Sequence, residues 1–305
     1  MDQIQTMRAF ARVVESGGFT KAAMSLDLPK GTVTKLVQHL EARLKVKLLN
    51  RTTRRVTVTP DGAAYYERTS RLLNDLDDIE ASMTNAQANP SGRLRVDVGS
   101  SIAREIVIPA LPGFYERYPD IQLDLGVGDR PVDMISDNVD CVIRGGELLD
   151  QSLVARRIAN IELVTVASPE YLRRHGTPQH PSELEDGHAT VAFFSARTGR
   201  LYPEVFMRGS ETIELVGSYK LSVNDSNAHM TALLAGVGIS QAASFSAAPH
   251  LARGELVRVL PEWTRPAVPL HVVYPPNRHL SAKTRAFVDW AVELFARPPF
   301  AGAER

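Results

Sequence analysis

The chain has 305 residues, 44% hydrophobic and 23% charged, with a formal net charge of zero. That length exceeds one typical domain, and the composition is that of an ordinary globular protein. A single cysteine, Cys141, excludes a disulfide framework and a cysteine-based metal site; no run reaches the ~18 apolar residues of a membrane span, and Met1-Asp2-Gln3 lacks the start of a signal peptide, so a cytoplasmic protein without a membrane partner is expected.

The charge is unevenly placed. Residues 1–60 hold eleven Lys/Arg against four Asp/Glu, a formal +7 that leaves −7 on the remainder. A small basic module on a larger acidic body is the asymmetry expected where one end meets phosphate. Ile4, Met7, Phe10 and Val14 recur at helical spacing until Gly17-Gly18 stops the helix. Thr20 is placed to N-cap a short helix, Lys21 to Leu26, with Phe19 and Met24 as a hydrophobic staple. A third helix follows Asp27-Leu28-Pro29 and buries Val33, Leu36, Val37, Leu40 and Leu44. Gly31, Lys35, Gln38 and Ala42 then share the opposite face, small and polar enough to approach a groove, with donors for base edges or phosphates. Two helices joined by a short turn make a helix-turn-helix. Val56 and Val58 alternate with polar residues as a strand, and Arg51, Arg54 and Arg55 lie at its turn, a wing suited to backbone or minor-groove contact.

Thr59-Pro60 is an N-cap followed by a proline at the first helical position, and a helix is expected to about Gln87. Tyr65, Thr69, Leu72, Leu76, Ile79 and Met83 alternate four and three apart, a coiled-coil seam of about three heptads on a helix about 40 Å long. Packing within the same chain would also bury such a seam. Dimerisation is the preferred reading, because two recognition helices read a two-fold site, an interrupted inverted repeat of double-stranded DNA. Asn89-Pro90-Ser91-Gly92 forms the clearest boundary.

Beyond it, strands alternate with helices: Leu94–Val98, a helix towards Phe114 and Tyr118, Ile121–Leu125, Val139–Ile143, an apolar run Ile161–Val166, a helix opened by Ser168-Pro169-Glu170, Val268–Tyr274, and a Ser281-capped helix burying Phe287, Ala291, Leu294 and Phe295. This order implies an α/β class with mainly parallel, doubly wound sheets and a ligand cleft at the carboxyl ends of strands.

Many separate positions resemble the LysR-type transcriptional regulators. Met7-Arg8-Ala9-Phe10 and Glu15 through Ala23 resemble their N-terminal segment, as do Val33-Thr34-Lys35, Leu40-Glu41 with Leu44, Leu48 through Arg51, and Val58 through Gly62. Further on, Gly92 through Val96, Ile108 through Leu111 with Phe114 and Tyr118-Pro119, Asp140 through Gly145, Asn224-Asp225 and Ala235 through Ile239 look like the family's effector domain, more weakly between 185 and 220. The resemblance implies a winged helix-turn-helix (1–59), a linker dimerisation helix (60–88), a hinge (89–92) and a two-lobed, periplasmic-binding-protein-like α/β effector domain (93–305). Lobe I would span about 93–161 and 268–300 and lobe II about 162–267, with crossovers at Arg157 to Val166 and Leu260 to Val272. Lys30, Thr32, Thr34, Lys35 and Gln38, with Thr20 nearby, would meet DNA. Pro29 departs from a usual capping Ser, Gly31 softens the first helical turn, and Lys45 replaces a usual Gly. The cleft would be lined by Ser100, Ser101, Ile102, Arg144, Gly145, Phe194, Ser195, Asn224, Asp225 and Ala228. Serine hydroxyls, free helix-start N–H groups and one Arg suit an anionic or carbonyl-bearing effector, although Ser100 and Asn224 would serve equally as helix caps. The family is commonly tetrameric, whereas the seam alone supports a dimer; RNA polymerase is a further implied partner.

An enzyme is the rival class. No Gly-x-Ser-x-Gly elbow, phosphate loop, His-Glu-x-x-His or Cys-x-x-Cys occurs, and no metal or cofactor is indicated. His175 and His180 read as surface residues, and Cys141 as a buried packing residue with redox sensing the lesser alternative. A ligand transporter would need a signal peptide and would have no use for the first sixty residues.

Overall fold

The computed structural model describes residues 2–51, 56–83, 89–134, 137, 139–146, 152–276, 280–298 and 300. The chain divides into two compact units, Met1–Ala88 and Asn89–Arg305.

In the first unit, α1 (Gln3–Ser16) starts where the Asp2 carboxylate accepts the Ile4 N–H, and ends at Gly17. α2 (Phe19–Leu26) and α3 (Lys30–Leu44) follow, then an antiparallel pair, β1 (Leu49–Arg51) and β2 (Val56–Val58), and α4 (Pro60–Met83). Phe10, Val13, Ala22, Val33, Leu36, Val37 and Leu40 form the core, with Tyr65 of α4 set edge-on against Phe10 at 5.7 Å. The face of α1 is rotated from the expected one: Thr6, Ala9, Phe10 and Val13 are buried, Ile4 is exposed and Met7 half-buried. Thr20 is not a cap. Gly18 precedes α2 without a side-chain cap, Thr20 lies inside the first turn, and Met24, the expected staple partner, is 79% exposed. Lys45 ends α3 in the left-handed region at φ 56°, a conformation that costs a non-glycine residue roughly 1–2 kcal/mol.

α4 begins as expected, with the Thr59 hydroxyl accepting the Gly62 N–H at 2.9 Å. The first half of the seam is used internally: Tyr65 packs on Phe10 and Thr69 is buried. Leu72 remains 60% exposed and Leu76 half-buried, whereas the side chains of Ile79 and Met83 lie outside the described residues.

The second unit opens with β3 (Gly92–Val98), so Gly92 belongs to a strand rather than to a hinge. A continuous helical run follows: α5 (Ser100–Ile102), a widened π-turn (Ala103–Val107) and α6 (Ile108–Arg117). The widened turn precedes Pro109, which has no N–H for an α-helical bond to Glu105. Then come β4 (Ile121–Val127), β5 (Cys141–Gly145), β6 (Val154–Ile161) and β7 (Leu163–Ala167). The apolar run expected as one strand is thus split at Glu162 between β6 and β7, which lie in different sheets. α7 (Pro169–His175), β8 (Ala189–Phe194), β9 (Leu201–Tyr202), β10 (Glu204–Arg208), β11 (Glu211–Leu215) and β12 (Ser218–Val223) lead to α8 (Ser226–Leu234). β13 (Ser240–Ala243), α9 (Ser244–Ala252), β14 (Val257–Arg258), β15 (Val268–Tyr274) and α10 (Ala282–Phe295) complete it.

Lobe I is a five-stranded sheet in the order β4-β3-β5-β15-β6. β4, β3 and β5 run parallel, while β15 is antiparallel to both neighbours. Lobe II holds the sheets β13-β7-β14 and β12-β8-β9 and the hairpin β10-β11. The sheets are therefore mixed rather than mainly parallel: strands entered through a crossover from the other lobe return in the opposite sense. Phe114 packs against Phe287 and Trp290 of α10 in lobe I, above a fully buried Cys141 whose thiol burial pushes well above its ordinary pKa. Ile239, Phe206 and Trp263 belong to the core of lobe II. No helix among the described residues is long and apolar enough to cross a membrane.

Gly62 is required by space. A Cβ there would run into the Leu48 carbonyl and lie 3.0 Å from Cγ1 of Val58. Gly62→Ala is expected to lower stability by about 1–3 kcal/mol, read as an earlier thermal transition by circular dichroism. An unchanged transition would show that the wing and α4 can separate freely.

Candidate functional site

Two sets of residues carry the chemistry, one in each unit. In the first, the inward face of α3 is apolar and buried at Val33, Leu36, Val37 and Leu40, so its other face turns outward. Lys30, Gly31, Lys35, Gln38 and Ala42 are all exposed, and Thr32 and Thr34 are half-buried beside them. The Thr34 hydroxyl donates to the Lys30 carbonyl at 2.9 Å, which leaves its oxygen as an acceptor. Pro29 precedes the helix without a side-chain cap, so the α3 N-terminus keeps backbone donors at its exposed end. Glu41, on the same helix, accepts the N–H groups of Leu48 and Leu49 at 2.9 and 3.1 Å, which fixes the start of β1 against α3. That positioning role was not foreseen; a carboxylate one turn before the helix end and facing a strand was its only sign. Arg51 is the last residue of β1, and Arg54 and Arg55 lie outside the described residues.

In the second unit, β3, β4 and β5 run parallel, so their carboxyl ends lie along one edge, where Ser100, Asp129 and Arg144 meet. Ser100, Ser101 and Ile102 are buried in the first helical turn. The Ser100 hydroxyl donates to Asp225 across the lobes at 2.5 Å, and the Ser101 N–H donates to the Ser226 hydroxyl at 2.9 Å. Asp129, in the turn after β4, accepts the Ser100 N–H at 2.9 Å and the Ser226 N–H at 2.5 Å. Asp225 N-caps α8, accepting the Ala228 N–H at 2.8 Å. The Ser246 hydroxyl of α9 also donates to Glu105, at 2.5 Å.

Of the helix-start N–H groups expected to be free, those of Ser100, Ser226 and Ala228 are therefore already engaged by carboxylates of the chain itself, and that of Ser101 by the Ser226 hydroxyl. Arg144 is not a free cation either. It pairs with Asp97, and both side chains are largely buried, 18% and 12% exposed. Burial pushes the Asp97 carboxyl above its ordinary range, with Arg144 pulling it back down, and burial lowers Arg144 in turn. The alternation of β3 turns Asp97 away from Leu94, Val96 and Val98, and a bare Gly126 opposite it on β4 makes the room. Gly145 ends β5 beside Ile161. Phe194 is half-buried at the end of β8, and Ser195 closes the turn 195–200, its carbonyl accepting the Gly199 N–H. Asn224 is exposed, and the capping role foreseen for it falls to Asp225. Asp97, Asp129 and Ser226 were missed, although the strand-end rule that points to Ser100 and Arg144 points equally to Asp129. His175 stacks on Tyr171 at 4.6 Å and His180 caps a short 3-10 turn, so both are structural.

Both units match known protein families. Residues 4–63 match the model described as bacterial regulatory helix-turn-helix protein, lysR family, and residues 87–296 match the LysR substrate binding domain. An HTH-type transcriptional repressor of Pseudomonas aeruginosa is 41% identical over 299 residues, 98% of this chain and 94% of that protein. The solved structure of CrgA, a LysR-type transcriptional regulator from Neisseria meningitidis, shares 32% identity with a TM-score of 0.62, covering 96% of this chain and 99% of that one. The full-length structure of the Vibrio cholerae virulence activator AphB shares 27% identity with a TM-score of 0.58, over 96% and 99% of the two chains.

The buried pair generates a test. Asp97→Asn leaves the Arg144 charge without its partner, so urea denaturation should show a loss of about 3–5 kcal/mol. The double variant Asp97→Asn/Arg144→Met removes both charges and should recover most of that loss. Equal stability of the single variant and the wild type would show that Arg144 finds compensation elsewhere.

Proposed function

Because the chain belongs to the LysR-type transcriptional regulators, a helix-turn-helix family with a substrate-binding domain, we propose that it reads an interrupted inverted repeat in double-stranded DNA as a homodimer, under the control of a small molecule held between its two lobes. It is a transcription regulator and not an enzyme. The observation that carries the DNA reading is the outer face of α3. Lys30, Lys35 and Gln38 stand exposed beside the small residues Gly31 and Ala42, on a segment of formal charge +7. A helix so arranged can enter a major groove closely, with lysines on phosphates and a glutamine amide on a base edge. Thr20, Thr32, Thr34 and the wing residues Arg51, Arg54 and Arg55 complete the proposed contact set. Regulation would then act through RNA polymerase at the bound promoter.

Association by way of α4 is supported by the residues that its internal packing leaves over. Leu72 is 60% exposed, and Leu76 lies four residues further along the same face. Two such helices, side by side, would bury both and set two α3 helices to a two-fold site. A tetramer of paired dimers is the further step in the same reading.

Two measurements test these assignments. Gln38→Ala should relax the preference at one base position of a selected site by about 1–3 kcal/mol, while Lys30→Ala should weaken all sequences alike and flatten the salt dependence by about one charge. Identical behaviour of the two variants on matched and scrambled sites would overturn the division between base and backbone contacts. Leu76→Glu places like charges opposite each other in the dimer, and sedimentation of the full chain should show dissociation at concentrations where the wild type is dimeric. An unaltered sedimentation profile would place the dimer contact elsewhere.

A further inference from the structure

Resting on the reading of the interlobe cleft as the effector site, we infer that Asp129 is a specificity-determining residue: its carboxylate fills the anion position of the cleft and turns free carboxylate effectors away. The position is built from both lobes. One carboxylate oxygen accepts the N–H of Ser100, in the first turn of the helical run Ser100–Arg117, and the other accepts the N–H of Ser226, in the first turn of α8. First-turn N–H groups have no partner within their own helix, and the helix dipoles add positive potential there, so two such starts facing one point would ordinarily collect an anion from solution.

A second feature points to the same place. The Nε and Nη1 groups of Arg144 are buried and have no hydrogen-bond partner among the described residues, while Nη2 faces Asp97. Nη1 lies 3.6 Å from where a Cβ on Gly99 would stand, and Asp129 Oδ1 lies 3.3 Å from the same point. Guanidinium and carboxylate thus flank one bare backbone position, where a Cβ would crowd the Asp129 carboxylate and touch the guanidinium.

The consequence is one of competition. A carboxylate fixed in the turn after β4 takes the position without the loss of translational and rotational freedom that a free one pays on binding. An incoming carboxylate would also meet Asp225 and Asp97 at close range. What the cleft still offers is the remaining lone pairs of Asp129 and Asp225, whereas Nε and Nη1 of Arg144 are buried out of a ligand's reach. Those lone pairs suit a molecule that carries no carboxylate and brings its own hydroxyl or amide hydrogens to the aspartates.

The test is chemical rescue by acetate, with the full chain and matched ionic strength in sodium chloride as reference. Asp129→Ala empties the position, so its melting temperature should fall by about 2–8 °C in chloride and recover by at least half in 50 mM acetate. The wild type should melt alike in both salts. Asp129→Asn keeps the volume but sets an amide against two N–H donors, so it should melt lower than wild type without rescue, and it serves as the deciding variant should Asp129→Ala not fold. Any of three results would overturn the inference: an Asp129→Ala protein that melts as wild type does or ignores acetate, a wild type that acetate stabilises equally, or an Asp129→Asn protein as stable as the wild type. Specific DNA binding by the unaltered chain is measured separately, so a failure of the regulatory reading shows there and a failure of the Asp129 assignment shows in the melts.

Discussion

Where two helix starts are brought face to face, their N–H groups must find acceptors or remain unsatisfied, and their dipoles, each equivalent to roughly half a positive charge, repel. That constraint governs the second unit. The chain meets it with carboxylates from the turn after β4 and from the α8 cap, so the two lobes are joined by Asp129 and Asp225 acting on Ser100 and Ser226. Other features follow from it. With Asp129 facing the helix starts, Arg144 has its principal partner in Asp97, whose carboxylate takes the room left by the bare Gly126 opposite. Polar residues in this cleft are therefore bound to one another before they are available to anything else.

The first unit rests on a simpler arrangement. Burial of Val33, Leu36, Val37 and Leu40 against α1 and α2 leaves α3 one free face, and Glu41 fixes the wing to the same helix. The α3 residues proposed to meet DNA are thus held by packing beneath them and by two backbone hydrogen bonds at the far end. None of them contributes to the core that positions them.

The elements themselves were legible in the residues. Apolar periodicity marks α3 and α10, alternation marks β3 and β4, and Thr59-Pro60 marks the start of α4, because these signals are local. The failures share another cause. Periodicity shows which side chains line one face of α4, but not that Phe10 covers Tyr65 and thereby removes the first part of the face from any seam. Thr20 has the chemistry of a cap, yet helix entry at Gly18 places it two residues past the cap position. The serines and the arginine of the cleft came from the family resemblance, with which their places after strands agree, but their partners, Asp97 and Asp129, depend on which strands become neighbours. That is a tertiary property, as is the return of β15 antiparallel to β5. The hairpin β10-β11 and the short β9 went unread in a stretch whose alternation is brief and interrupted.

The position of β15 has a bearing on how the protein is made. It sits between β5 and β6, and β6 has no other strand partner among the described residues. On the ribosome, both strands emerge long before residues 268–274, and all of lobe II is synthesised in between. At about 5–20 residues per second that delay is on the order of ten seconds, during which two strand edges of lobe I stay unpaired. Lobe II, an unbroken segment, and the N-terminal unit can each close first. The substrate-binding unit is then completed only once β15 and α10 have left the exit tunnel, so a nascent chain released before them carries a finished N-terminal unit and no finished sensor.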